Sequence, residues 1–364
     1  MAAFAIAPGA PREVDLPVWG GPAERLRFLL GYAVLAPSRH NAQPWIFEIE
    51  GDEARLYADP GRSLAVADPR DREKLMGCGA ALLNLRVAAA HFGFATSVEV
   101  VAGSRRDGML ARLRLEERRP AGTDEEELFR AIPVRRTCRL PLDGRDLPAG
   151  LVARLAREAA REGAVLRPVE EAERQAVAEL VADADLRQWH DRAFRTEFAA
   201  WTRSAGSHSG DGMPGSALGL SEVATLLQPL LLRVADPGAL EADRDRRRVL
   251  VARALLCLSS RGDLPADWVV AGQALQRVLL RAAAHGLQAC YLDQPVEVPE
   301  LRERLRGLLG ERAHPQLLFR LGYGVELPAT PRRPVDEVLR RMTPLPPPPQ
   351  ALARAAPSGP GPRP

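Results

Sequence analysis

Lysine is almost absent: Lys74 stands alone among fifty basic residues, so any site for an anion must be built from arginine, whose planar fork grips phosphate at two points. Cysteine is scarce as well. Cys78, Cys138, Cys257 and Cys290 are far apart and form no Cys-x-x-Cys pair, which argues against a zinc site and against a disulfide framework, and fits a reducing cytoplasm. No basic n-region precedes an apolar core at the N-terminus, and the longest apolar run, near Leu226 to Val234, is broken by Pro229, so neither secretion nor membrane spanning is expected. There is no large charge excess: +3 on 364 residues, with no basic block interleaved with aromatics, speaks against nucleic acid. The chain also lacks a Gly-x-Ser-x-Gly elbow, a P-loop and a His-Glu-x-x-His pair, which removes the common hydrolase, kinase and metalloprotease readings.

The length predicts two core-forming units, or one fused pair. Residues 1–21, rich in Ala, Pro and Gly, read as a loosely ordered arm, and structure begins near Pro22. A helix from Leu26 to Leu35 is stopped by Pro37, because the residue before a proline is driven out of the α region. Trp45 to Ile49 and Ala54 to Tyr57 read as strands around a Gly51-Asp52 turn. A long apolar helix over Arg72 to Phe92, capped by Gly93, leads to strands over Thr96 to Ala102 and Met109 to Glu116, closing a first unit over 22–122.

The second unit, 123–343, is expected to hold helices over Thr123 to Arg130, Leu151 to Glu162, Glu170 to Trp201, Pro265 to His285 and Pro299 to Leu309. Its strands are expected at Val165 to Val169, Arg248 to Ser259, Gln288 to Leu292 and Pro315 to Gly322. Residues 202–221, crowded with Gly, Ser, Asp, His and Pro, read as an irregular lid or binding loop, and the Pro-rich tail 344–364 reads as disordered. Placing Gly79 on Gly272 without gaps also superposes Ala81 on Ala274, Leu82 on Leu275, Ala89 on Ala282 and Gly93 on Gly286, a repeat that predicts a duplicated unit packed through those two helices.

Three stretches carry the chemistry. Ser38, Arg39, His40, Asn41 and Gln43 crowd hydrogen-bonding groups between Pro37 and Pro44, with the indole of Trp45 behind them, as a loop that holds something planar and polar would need. Arg135-Arg136-Thr137-Cys138-Arg139 forms a comb: in an extended segment Arg135, Thr137 and Arg139 share one face and suit a phosphate and the hydroxylated chain attached to it. Arg332 and Arg333, pinned between Pro331 and Pro334, offer a second pair of guanidinium groups; the sequence leaves open which points inward. His40, His208 and His285 have no acid partner at a telling spacing and read as polar loop or helix residues.

These stretches, with Gly272-x-Ala274-x5-Leu280-x-Ala282-x3-Gly286, resemble the signatures of the FMN-dependent nitroreductase superfamily. Their order in one fused chain, with Gly212-Met213-Pro214 between them and Thr330 to Val338 at the end, resembles the Acg-type nitroreductase-like flavoproteins, over roughly residues 22 to 340. The resemblance implies an α+β fold with antiparallel sheets flanked by helices, two fused halves forming a pseudo-dimer, and one FMN per chain. Arg135, Thr137, Arg139, Arg332 and Arg333 would hold its phosphate and ribityl side. Ser38, Asn41, Gln43, Pro44 and Trp45 would meet the isoalloxazine from across the interface of the halves, with Asn41 and Arg39 as tuners. No protein side chain is implied as nucleophile or base, and no metal, because the flavin carries the redox work. Two functions follow: NAD(P)H-dependent reduction of nitro- or quinone-type acceptors, or storage of FMN beneath the 202–221 lid. The implied partners are the flavin and a small acceptor, with no nucleic acid or membrane, in a monomer able to pair further.

Overall fold

The computed structural model describes residues 9–340 apart from 105, 106, 205, 208 and 311; the expected tail, part of the N-terminal arm and His208 lie outside the described residues. Proline opens α1 (Pro22–Ala33) where its missing amide costs nothing, and the Glu24 carboxylate accepts the Gly21 amide. β1 (Trp45–Glu50) and β2 (Glu53–Ala58) pair antiparallel around Gly51, whose φ of +59° favours glycine. Then come α2 (Arg72–His91), β3 (Phe94–Val100) and β4 (Met109–Arg118), close to the expected bounds.

The second part of the chain begins with α3 (Thr123–Ala131), α4 (Leu151–Arg161), β5 (Val165–Pro168), α5 (Glu171–His190) and α6 (Arg192–Ala200). The single helical run expected to Trp201 is broken at Asp191, whose extended backbone and side chain cap α6 by accepting the Ala193 amide. Residues 202–221 carry more structure than expected: β6 (Thr202–Arg203) pairs with β7 (Met213–Pro214), and a 3-10 turn follows at Gly215–Leu218.

Two helices without an expected counterpart, α7 (Glu222–Val234) and α8 (Gly238–Leu250), precede the strand expected over Arg248 to Ser259, which is shortened to β8 (Ala254–Ser260) because α8 takes its first residues. Pro229 sits inside α7 without ending it, and α8 buries only Gly238, Ala242, Asp245 and Val249, a stripe too polar to stand out in sequence. The chain closes with α9 (Pro265–Ala284), β9 (Gln288–Tyr291), α10 (Gln294–Glu297), α11 (Pro299–Leu308), β10 (His314–Gly322) and α12 (Val335–Val338).

Two antiparallel four-stranded sheets result, β1-β2-β4-β3 and β5-β8-β10-β9. Their order is the same, and in each a twenty-residue helix, α2 or α9, joins the second strand to the third. Those helices cross at the matched glycines. A Cβ on Gly79 would strike the Val269 carbonyl and one on Gly272 the Met76 carbonyl, a reciprocal contact in the register of the sequence repeat. Beside the crossing, Gln276 Nε2 donates to Asn84 Oδ1 at 2.7 Å in the buried seam.

Each sheet has one edge covered by a segment that follows another element, and the second of these segments crosses from the second part of the chain to the sheet of the first. After α3 the chain bridges β9 at Thr137 and Ala289, and after β10 it returns to bridge β1 at Leu339 and Phe47, covering two exposed edges. α3 is anchored for this by the buried Arg281 of α9, which pairs with Asp124 and Glu127. Among the described residues, no helix is long and apolar enough to cross a membrane.

Candidate functional site

The segments after α3 and after β10 and the loop after α1 converge on one place. In that loop His40, Asn41 and Gln43 have φ of +49°, +56° and +52°, a left-handed geometry that costs non-glycine residues about 1 kcal/mol or more each and persists only where surrounding bonds enforce it. The enforcing bonds are visible. Ser38 Oγ accepts the Gln43 amide at 2.8 Å; Asn41 Nδ2 donates to the Gly212 and Pro331 carbonyls at 3.0 and 3.1 Å. Gln43 Nε2 donates to the Gly210 carbonyl at 2.7 Å, while its Oε1 accepts the Arg333 amide at 2.8 Å. Much of the loop's polar chemistry therefore binds protein.

Behind the loop stand arginines without counter-charge. Arg135 is buried and donates to Thr137 Oγ1 at 3.2 Å; Arg332 donates to Asn41 Oδ1 at 3.0 Å and to carbonyls around it. Neither these two nor Arg139 has a carboxylate partner among the described residues, and Nε of both Arg135 and Arg332 is buried without an acceptor. Burial pushes the Arg135 guanidinium down to about 10; it pushes Arg332 to about 9, with the charges of Arg135 and Arg136 adding to the effect. Such a cluster is short of an anion.

It faces space. A cavity of about 50 Å³ lies among Asn41, Arg135, Thr137, Arg139, Thr330 and Arg332, and shares Ser38, Thr137, Arg139 and Met213 with a larger cavity of about 490 Å³. The latter is of the size that holds cofactors, roughly 300–1,000 Å³. It runs past Gly77, Tyr291 and Phe198 to Arg244, whose side chain is 44% exposed, so it reaches the surface there.

Its far side is acidic. Arg39 pairs with Glu73 at 2.8 Å and with Glu297, and these two carboxylates cluster with Asp293 closely enough to hold a cation. The cation in contact with Glu73 and Glu297 is Arg39 itself. Burial, reinforced by Glu73, raises the Asp293 carboxyl well above its usual range; burial and then the charge of Asp245 push Asp185 up to about 8. His40 lies between Arg39 and Arg139, and burial with those charges holds its imidazole neutral.

The site residues expected from sequence divide into two groups. Ser38, Asn41, Arg135, Thr137, Arg139 and Arg332 line the cavities, as does Arg39. Gln43, Pro44, Trp45 and Arg333 do not. Gln43 is wholly enclosed by its bonds to the lid and to Arg333. Pro44 gives its carbonyl to the Asp59 amide at 2.7 Å. Trp45 lies in the hydrophobic core, because strand alternation turns it inward with Phe47. Arg333 points toward Glu337, whose carbonyl it meets at 2.8 Å, so of the two neighbouring arginines Arg332 faces the cavity. Tyr291, Asp293, Asp185, Met213 and Phe198 also line it. Only the lid position of Met213 was marked in sequence; the others sit on elements that look like ordinary core.

No family model matches the chain. It is 32% identical to a Mycobacterium tuberculosis protein provisionally named NAD(P)H nitroreductase Rv3131, over 87% of this chain and 91% of that one. It is likewise 32% identical to the same organism's acg, also provisionally named an NAD(P)H nitroreductase, over 84% of this chain and 92% of the relative. Among solved structures, a provisionally named nitroreductase of Anabaena variabilis aligns over 89% of this chain and 93% of its own, with a TM-score of 0.45 at 11% identity. The FMN-dependent nitroreductase NfnB of Mycobacterium smegmatis, solved with NADPH, aligns over 60% of this chain and 99% of its own, with a TM-score of 0.39 at 18% identity.

Proposed function

The chain belongs to the Acg-type nitroreductase family, and from that premise we propose that it binds one FMN in the joined cavities and uses NAD(P)H to reduce nitro- or quinone-type acceptors. The observation that carries the reading is the cluster of Arg135, Arg139 and Arg332, desolvated, without carboxylates, and opening on a cavity of cofactor size. A phosphate monoester, with close to two negative charges at neutral pH, supplies what those guanidinium groups lack. The unpartnered Nε groups of Arg135 and Arg332 fit that demand.

Bound there, FMN would supply hydride acceptance from NAD(P)H and delivery of electrons to the acceptor. Arg135 and Arg332 hold the phosphate, and Thr137 and Arg139 the hydroxylated chain. Ser38 and Arg39 bound the region for the ring, with Arg39 oriented by Glu73 and Glu297. Gln43 and Arg333 keep the strained loop in place, and Pro44 and Trp45 support it from the core. In this reading the halves are 22–122 and 123–343. The first supplies the loop and the second the arginines, making one composite site in an intrachain pseudo-dimer. The opening toward Arg244 leaves a route for a second small molecule.

One feature favours the storage alternative. Residues 210–213 are fastened to the loop: Gly212 donates to the Asn41 carbonyl at 3.3 Å, Asn41 and Gln43 donate back, and Arg62 holds Asp211 at 2.9 Å. Purified protein should show a flavin spectrum, and NADPH added without oxygen should bleach it. A yellow protein that stays oxidised favours storage; a colourless protein that takes up no FMN rejects both.

A further inference from the structure

The outer face of α7 is apolar and open to water. Val223, Leu226, Leu227, Leu230, Leu231 and Val234 recur at helical spacing along one side and are between 48% and 79% exposed. The opposite side packs on α6 and the lid turn, and there Gln228 and Leu232 line the large cavity. A continuous apolar stripe of this kind on an otherwise charged surface marks a contact.

We propose that this stripe is the docking face for a second copy of the same chain, the two α7 helices packing antiparallel across a two-fold axis. A two-fold contact uses the same patch on both copies, so its pattern must read alike in both directions. This one does. Reversal about the point between Gln228 and Pro229 exchanges Val223 with Val234, Leu226 with Leu231 and Leu227 with Leu230, each with its own residue type.

The charges agree with that orientation. Glu222 and Arg233 are exposed on the same flank at opposite ends of the helix, and in an antiparallel pair like flanks abut. Each Glu222 therefore meets Arg233 of the other copy, whereas a parallel pair would set glutamate beside glutamate. A lipid surface is a poorer fit, because a membrane-lying helix carries Lys and Arg along its polar margin and α7 has Arg233 alone. A contact about 20 Å long is small beside the roughly 800 Å² per partner of a standard interface, so the dimer is weak and concentration-dependent. Because the inner side of α7 walls the cavity, pairing also steadies that wall.

Sedimentation velocity of the full chain over a range of concentrations tests this. The expected result is a monomer–dimer equilibrium that Leu227→Glu with Leu230→Glu abolishes while far-UV dichroism and melting temperature stay as in the wild type. Glu222→Arg and Arg233→Glu should each weaken the dimer roughly several-fold to tenfold, and their combination should restore it. A monomer at every concentration overturns the proposal, as does a dimer indifferent to the leucine pair or a charge swap that fails to restore pairing. Monomeric wild type that pellets with phosphatidylcholine vesicles, and loses this with the leucine pair, assigns the stripe to lipid instead.

Discussion

Arg135 and Asp185 show opposite outcomes of burying a charge. Arg135 is desolvated beside like charges, so its removal should weaken ligand binding without weakening the fold. Arg135→Gln is expected to raise the dissociation constant for FMN about 10- to 100-fold, the worth of a charge-assisted hydrogen bond, while the melting temperature of flavin-free protein stays level or rises. Flavin fluorescence titration and thermal melts check the two halves of that statement. Asp185, pushed up to about 8, holds in the native state a proton that the unfolded chain releases near pH 4. Over that window the native state binds more protons, so its stability falls as pH rises and levels off above about 8. Asp185→Asn should flatten the dependence and exceed the wild type above pH 8 by on the order of 3 kcal/mol, read from melting temperature against pH. These two side chains differ in legibility. The arginine comb announced itself by spacing, whereas Asp185 sits in a helix with nothing local to distinguish it.

Among elements, the crossing of α2 and α9 and the fastening of the lid carry the strongest consequences. Gly79 and Gly272 each face a backbone carbonyl of the other helix, which cannot rotate away as a side chain could. Gly79→Ala or Gly272→Ala should therefore cost about 3 kcal/mol by urea denaturation, the two helices having to separate. For the lid, Asp211 binds Arg62, Arg203 and Ser209 from outside the cavities. Asp211→Ala should release FMN about tenfold faster, as expected for loss of one charge-assisted bond, and under the storage reading should also hasten bleaching by NADPH. An unchanged release rate would mean that the lid does not retain the ligand. Most elements around the site were legible, because the apolar periods of α2 and α9 and the turn residues around β1 and β2 are local signals. α7 and α8 were not: Pro229 interrupts one, and the other buries a narrow stripe.

At the scale of the whole molecule, two sheets of one topology bring the loop at 37–45, the comb at 135–139 and Arg332 around the same cavities. Under the proposed arrangement flavin content should saturate at one per chain, measured by absorbance of released FMN against protein concentration; two per chain would refute the composite site. The family likeness implied a single site for these stretches, yet their contact depends on two segments laid along sheet edges, one of them on the sheet of the other half. Thr137 lies on β9 within the second half, and Leu339 lies on β1 of the first half because the chain after β10 crosses over.

The amino-acid order by itself determined the kinds of element, the strand-to-helix punctuation, the supply of arginine for an anion and the glycine register of the repeat. These depend on backbone preference and on spacing within a few turns, which neighbouring residues settle among themselves. Tertiary structure alone decided that Arg332 faces the cavity while the buried Arg333 turns away from it to the Gln43 and Glu337 carbonyls, that Trp45 fills core, and that Gln43 is spent on the lid. Those directions follow from which residues, often more than a hundred positions away, occupy the space on either side of each side chain.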